Sequence, residues 1–118
     1  ILTGDFNVAP LEHDVWSHKQ LVNVVSHTRI EIEHLAEIQA AADWVDVARH
    51  FVDPSKKLYT WWSYRAQDWE TSDRGRRLDH MWVTPDLKEK AKAHIVHKHV
   101  RGWGKPSDHA PIVTEFTF

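Results

Sequence analysis

The stretch Lys105-Pro-Ser-Asp-His-Ala-Pro111 constrains this chain more than any other. Pro106 and Pro111 fix φ on either side of a carboxylate and an imidazole, Asp108 and His109. Residues 112–118, Ile-Val-Thr-Glu-Phe-Thr-Phe, follow at once and read as a strand. Two ionisable groups on a stiffened loop that feeds a strand are held more firmly than the same pair on a free tail. Metal binding and proton transfer both require such positioning. Taken alone, the stretch reads equally well as a Ser-Asp turn with His109 merely exposed, so the rest of the chain must decide.

A chain of 118 residues is the size of one small domain, and 42% hydrophobic with 27% charged residues is a globular composition. A net charge of −2 argues neither for nor against a polyanionic partner. There is no cysteine, which excludes a disulfide frame and a thiolate zinc site and fits a reducing, cytoplasmic setting. No apolar run is long enough to span a bilayer, so no membrane is expected. The opening Ile1-Leu-Thr-Gly-Asp-Phe-Asn7 reads as the end of a strand whose start is missing, and the expectation is a fragment. Seven tryptophans bury large areas, so a half-domain carrying them should be sticky unless something covers it.

Along the chain, residues 1–3 end a strand and Gly4-Asp5-Phe6-Asn7 turns at its tip. Residues 10–25 read as loop with one short helix. Thr28 and Glu31 make a capping box that starts a helix, with Leu35, Ile38 and Ala42 at three- and four-residue steps. Residues 43–51 have helix-like apolar spacing. Strands are expected at 58–64, 78–84, 93–100 and 110–118, and Pro85 opens a short helix. The sum is a mixed or antiparallel set of strands with helices laid on one face.

Three sets of residues carry chemistry. Asp5 and Asn7, two apart on a turn, can point the same way, one anionic and one a neutral donor. Asp79 lies in an otherwise apolar strand, where burial of an unpaired carboxylate costs several kcal/mol, so it needs a partner or a solvent-facing side. The partner should be His109: a carboxylate on one ring nitrogen fixes the tautomer and leaves the other facing a substrate. Asp108 is then free for a hard divalent ion such as magnesium, which binds a few carboxylates and phosphate oxygens. Asp5 would orient or deprotonate the attacking water, and Asn7 would donate to phosphoryl oxygens. A serine hydrolase built on Ser107 and His109 lacks a nucleophile elbow.

The aromatic run Tyr59-Thr-Trp-Trp-Ser-Tyr64 is the third set. Alternation places Trp61 opposite Trp62 and Tyr64, and an exposed Trp61 indole beside a phosphate site is a platform for a nucleobase or deoxyribose. Arg65, Arg74, Arg76 and Arg77 surround the adjacent loop, and Lys90 to Lys105 contains no acid; two such basic stretches suit a nucleic-acid backbone as well as ordinary solvated surface. His97 and His99 share a strand face in this reading, but two histidines do not close a zinc site.

Gly4-Asp5-Phe6-Asn7, Tyr59 to Tyr64, Arg77-Leu-Asp-His80 and Pro106 to Pro111 occur in that order. On these motifs the chain resembles the C-terminal half of exonuclease III, of the abasic-site (AP) endonuclease branch of the endonuclease/exonuclease/phosphatase superfamily. The resemblance runs essentially from Ile1 to Phe118. It implies an α/β (α+β) fold, the C-terminal half of a four-layer α/β/β/α sandwich of DNase I-like type, with the N-terminal half absent. It implies metal-dependent cleavage of DNA phosphodiesters in base-excision repair, at abasic sites and from 3′ ends, with Mg2+ or Mn2+ as cofactor. Asp5 corresponds to the catalytic aspartate, Asn7 to an active-site asparagine, Asp79 to the carboxylate that orients the histidine, His109 to that histidine, and Asp108 to the metal-proximal aspartate. Trp61 corresponds to an aromatic of the pocket for the extrahelical abasic sugar, with Leu78 near it and Arg65 and Arg76 on the substrate side.

The resemblance has two departures. The family's remaining site residues, including a metal-binding glutamate, lie upstream of Gly4-Asp5, so the piece alone should be inactive. Many relatives carry an apolar or aromatic side chain where Arg76 stands, so the pocket here is more polar or Arg76 contacts phosphate. The implied partners are double-stranded DNA with abasic sites or 3′ ends, the missing half, and a second copy of the piece. The rival readings are a phosphodiesterase of the same superfamily acting on a lipid or inositol phosphate, and a non-catalytic nucleic-acid-binding fold half.

Overall fold

The computed structural model describes residues 1–118. Three antiparallel sheets, all short, form its frame. In the first, β5 (Asp79–Val83) lies between β1 (Leu2–Asp5) and β2 (Val45–Asp46). The register sets Leu2 opposite Trp82, Gly4 opposite His80, and Asp5 opposite Asp79. Two carboxylates directly across a strand pair repel each other. Something cationic has to sit over them, and the register alone says where. β1 is an edge strand, exposed along its length.

The second sheet pairs β3 (Trp61–Trp62) with β4 (Gly75–Arg76). Gly75 is required there, because a Cβ would stand 2.6 Å from the Tyr59 side chain. The third pairs β6 (Ala91–Val96) with β7 (Ile112–Phe116), with a bulge between Ala91 and Ala93. The loop before β7 is sewn to β3. The Trp62 amide donates to the Asp108 carbonyl at 3.0 Å, and the Ala110 amide donates to the Thr60 carbonyl at 2.7 Å. This places Asp108 and His109 beside β5.

Four helices lie outside the strands: α1 (His18–Leu21), α2 (Arg29–Ala41), α3 (Val47–Phe51) and α4 (Trp69–Ser72). α2 starts at the Thr28 capping box, with Glu31 reaching back to the Thr28 backbone. Of its expected apolar face only Leu35 is buried, and Ile38 is exposed. Only 21 of 118 residues are buried, so the apolar interior is three small clusters rather than one. Trp62 and Trp82 are the largest buried side chains, while Ile1, Val25, Trp103 and Phe118 remain exposed. No helix is long and apolar enough to cross a membrane.

Several expectations need correction. The aromatic run forms only two strand residues, because Ser63 to Ala66 turns away. β6 ends at Val96 and residues 98–102 coil into a 3-10 turn, so His97 and His99 share no strand face; their rings meet edge-on at 5.7 Å. Tyr64 does not follow Trp62 into the interior: it is exposed, and its hydroxyl donates to the Pro106 carbonyl at 2.7 Å. Arg77 is not on the nucleic-acid side: it is fully buried and makes paired contacts to Asp14 and Asp46 at 2.8–2.9 Å. In the 90–105 stretch, Arg101 is buried against the Trp62 carbonyl, and Lys98 is paired with Asp73 at 3.0 Å.

Candidate active site

β1, β5, β3 and the 106–111 loop each deliver one part of a single cluster. Asp5 ends β1, and Asn7 just beyond it takes a left-handed backbone with φ of 58°. This turn lets the Asn7 amide donate to Asp5 Oδ1 at 2.8 Å, which pins one carboxylate oxygen and leaves Oδ2 open. Asp79 opens β5. Its Oδ2 accepts from the Thr60 hydroxyl at 2.7 Å and from His109 Nδ1 at 2.8 Å.

Thr60 is buried and fully used: its Oγ1 donates to Asp79 and accepts from the Leu78 and Asp79 amides at 3.0 and 3.1 Å. Asp79 and the histidine it holds are therefore fixed from below. Nothing in the sequence singles out this threonine except its place within the aromatic run.

His109 Nε2 faces the other way. It lies 3.7 Å from Asp5 Oδ2 and 4.0 Å from Asp108 Oδ1. Asp108 is arranged like Asp5, with one oxygen tied and one open: Trp61 Nε1 donates to its Oδ2 at 2.9 Å. Burial opposes a proton on His109, but the hydrogen bond to Asp79 and the charges of Asp79, Asp5 and Asp108 outweigh it, and the imidazole's pKa is raised. Three carboxylates face one imidazole, so the cluster keeps an excess of negative charge even when His109 carries its proton.

The donor set suits a hard divalent cation. Ligand atoms of Asp5, Asp79 and His109 lie within 4.8 Å of one another. Within that group Asp79 and His109 already satisfy each other. The open valences are those of Asp5 Oδ2 and Asp108 Oδ1, oxygens of the kind magnesium or manganese takes. A cavity of about 340 Å³ opens beside the cluster, lined by Thr3, Gly4, Asp79, Ser107 and His109 among others.

Trp61 is the wall between this cluster and the arginines. It is half-buried, and the Arg76 guanidinium lies over its ring at 5.3 Å. Arg65 and Arg76 line a second cavity on that side. Leu78 does not: it is buried with Ala9, Val15 and Leu21, and Trp61 packs against that cluster. Its part in any pocket is to support the indole from behind. Sequence reasoning missed Thr60 and Trp16; Arg74 it placed among the loop arginines, and the Arg74 guanidinium, over the Trp16 ring at 4.5 Å, forms another wall of the second cavity.

Comparison with known proteins bears on both fold and cluster. An exodeoxyribonuclease of Bacillus subtilis (strain 168) is 35% identical over 114 residues, which make up 95% of this chain and 42% of that protein. An AP endonuclease from Archaeoglobus fulgidus superposes with a TM-score of 0.92 at 33% identity, over 98% of this chain and 44% of that one. A 3′ phosphatase from Neisseria, solved bound to product DNA hairpin, superposes with a TM-score of 0.88 at 30% identity, over 99% of this chain and 44% of that one. The chain thus spans less than half the length of these relatives, and its α/β fold is of their DNase I-like type. Residues 1–109 match the profile described as "Endonuclease/Exonuclease/phosphatase family", a span that closes on His109 itself. The chain belongs to the endonuclease/exonuclease/phosphatase family.

Proposed function

We propose that this chain carries the catalytic aspartates and histidine of a metal-dependent DNA phosphodiester hydrolase of base-excision repair, acting at abasic sites and 3′ ends. One observation carries the reading: Asp5 Oδ2 and Asp108 Oδ1, each unpaired with any donor nearer than His109, lie within 4.0 Å of the same imidazole nitrogen. A phosphate oxygen or water brought to that point meets acceptors and a donor together. The names of the relatives, an exodeoxyribonuclease, an AP endonuclease and a DNA-bound 3′ phosphatase, support DNA as the substrate.

In this reading Asp5 Oδ2 orients the attacking water and takes its proton. In its protonated form His109 donates from Nε2 to a phosphoryl oxygen as charge builds there, while Asp79 holds Nδ1–H and aims Nε2 at the substrate. Asn7 adds a neutral donor beside Asp5. Asp108 would hold Mg2+ or Mn2+, which would neutralise charge on the phosphoryl group and ease departure of the leaving oxygen. Trp61, Arg65 and Arg76 would contact the nucleotide, with Leu78 behind Trp61. The exposed edge of β1 and the relatives' greater length support a further proposal: this chain is the C-terminal half of one domain, and a complementary half or a second copy covers β1.

The test is cleavage of an abasic duplex by the parent protein with Mg2+, or by this chain mixed with its complement. Asp5→Asn and His109→Asn should each lower the rate by about 10²–10⁴-fold, the usual contribution of a positioned acid or base. Binding of the duplex without turnover by the wild-type protein would overturn the enzymatic reading in favour of a DNA-binding module. Turnover of an inositol phosphate but not of DNA would move the substrate class.

A further inference from the structure

The second cavity, about 600 Å³, is separated from the cluster by one side chain, Trp61. Trp16, Val25, Trp61, Arg65, Arg74 and Arg76 form most of its wall, and no carboxylate lines it. The molecule's ion pairs involve Arg29, Arg49, Arg77, Lys98 and His109, and none of the three cavity arginines. Three guanidiniums therefore converge on one space without a counter-charge.

Two of them are also held in place. The Arg74 guanidinium carbon lies over the Trp16 ring, 4.5 Å from its centroid, and that of Arg76 lies 5.3 Å from the Trp61 centroid. Arg76 Nη1 donates to the Val25 carbonyl at 3.0 Å and to Ser26 Oγ at 2.9 Å, both neutral. Its Nε is shielded from solvent and has no acceptor. A partly buried cation with an unused donor is unfavourable unless an anion completes it. A guanidinium stacked on an indole presents its planar fork edge-on, which matches the oxygens of a phosphate.

We propose that this cavity is a phosphate subsite, which takes the phosphorylated part of a nucleotide next to the one at His109 and prefers it to an uncharged sugar. The proposal rests on the DNA-hydrolase reading for the nucleotide but on the three arginines for the phosphate. It makes Arg74 and Arg76 specificity-determining residues, and it explains why an arginine is tolerated against Trp61. The phosphate can be the terminal monoester of a chain end or an internal diester; the chemistry recognised is the same.

The indole Nε1–H signals of Trp16 and Trp61 report on the cavity in NMR titrations of the whole chain. EDTA in the buffer keeps divalent ions from recruiting phosphate to the carboxylates. Inorganic phosphate and thymidine 3′-monophosphate should shift both signals saturably, and thymidine should bind at least about tenfold more weakly than its 3′-phosphate. Arg74→Gln and Arg76→Gln should each weaken the 3′-phosphate by about tenfold, and added salt should weaken it further. Arg74 is exposed, so its variant keeps the test interpretable should Arg76→Gln disturb β4. A terminally phosphorylated trinucleotide that outbinds its unphosphorylated form identifies a chain end, and equal binding of the two identifies an internal diester.

Thymidine and its 3′-phosphate binding alike would overturn the proposal, as would a phosphate effect on His109 that leaves Trp16 unmoved. Failure of the hydrolase reading looks different: the titrations would be intact and the chain mixed with its complement would not cut DNA. Asp5→Asn should show that separation, with cleavage by the complemented chain lost and the indole shifts retained.

Discussion

Two clusters of aspartates and cations lie on either side of β5 and serve opposite ends. In the buried one, Arg77 makes bidentate contacts to both Asp14 and Asp46 at 2.8–2.9 Å, and Arg49 adds a contact to Asp14 at 2.7 Å. The Leu11 and Arg49 amides donate to the same two carboxylates. Two acids meet two guanidiniums, and the charge is closed. In the exposed one, three acids meet one imidazole, and Asp5 and Asp108 each keep an oxygen unclaimed. Residue type does not distinguish a scaffold from a site here. Unspent hydrogen-bonding capacity and unbalanced charge do.

The sharpest way to break this contrast is to remove one acid from each side. Asp14→Ala leaves Arg77 and Arg49 buried with half their partners gone, and should cost about 3–5 kcal/mol of stability. Asp5→Asn should leave the urea midpoint unchanged or raise it slightly, since it relieves the cross-strand repulsion with Asp79. Equal loss of stability in the two variants, read from urea unfolding of each, would show that Asp5 is as structural as Asp14.

The two clusters also differ in how legible they are. The pairing of Asp79 with His109 could be read from sequence because a carboxylate in an apolar strand needs a partner, and a proline-fixed histidine was the best candidate. The α2 start was equally local, written in Thr28 and Glu31. The Arg77 network had no such signature. Its members are separated by 63 and 31 residues, and Asp14 ends a single 3-10 turn, Glu12–Asp14, too short to show periodicity. With Arg74 and Arg76 beside it, Arg77 read as one more surface cation, although it shares neither their exposure nor their role. Strand lengths were overread for a related reason. The aromatic and β-branched residues that favour strands continue past the points where β3 and β6 stop, and the stops come from tertiary turns.

A smaller effect tests whether the two clusters are mechanically joined. Thr60 binds the Leu78 and Asp79 amides, the residues directly after Arg77, and its hydroxyl also reaches the Asp79 carboxylate. Thr60→Val keeps the shape but strands those groups, and should cost about 1–3 kcal/mol in urea unfolding. The same variant should broaden or move the His109 imidazole signals, because Asp79 loses one of its two anchors. Thr60→Ser, which keeps the hydroxyl, should restore the His109 signals. A destabilised Thr60→Val protein with unmoved His109 signals would show that the two sides are independent.

The subtlest contrast is in pH dependence, where the clusters pull in opposite directions. Burial opposes the His109 proton, but the hydrogen bond to Asp79 and the surrounding charges raise its pKa above the ordinary 6.5. Its stabilising effect is therefore complete below about pH 6.5 and is lost as the pH rises through the folded value. On the buried side, burial and the Arg77 charge lower the pKa of His80, and burial lowers that of His94. Both stay neutral in the fold while the unfolded chain takes protons, so stability falls as the pH drops below about 6.5. Asp46 acts lower still. Burial raises its pKa, but the Arg77 charge and hydrogen bond prevail and lower it below 3.8, so its contribution is lost only as the pH falls through that folded value. In EDTA, the unfolding free energy of the whole chain should rise toward pH 6.5 from either side. His109→Gln should flatten the alkaline limb alone. Mg2+ should do the same in the wild type, because a cation beside Asp5 and Asp108 disfavours the imidazolium. An alkaline limb that survives His109→Gln would place the excess negative charge of this molecule elsewhere than at the open carboxylates.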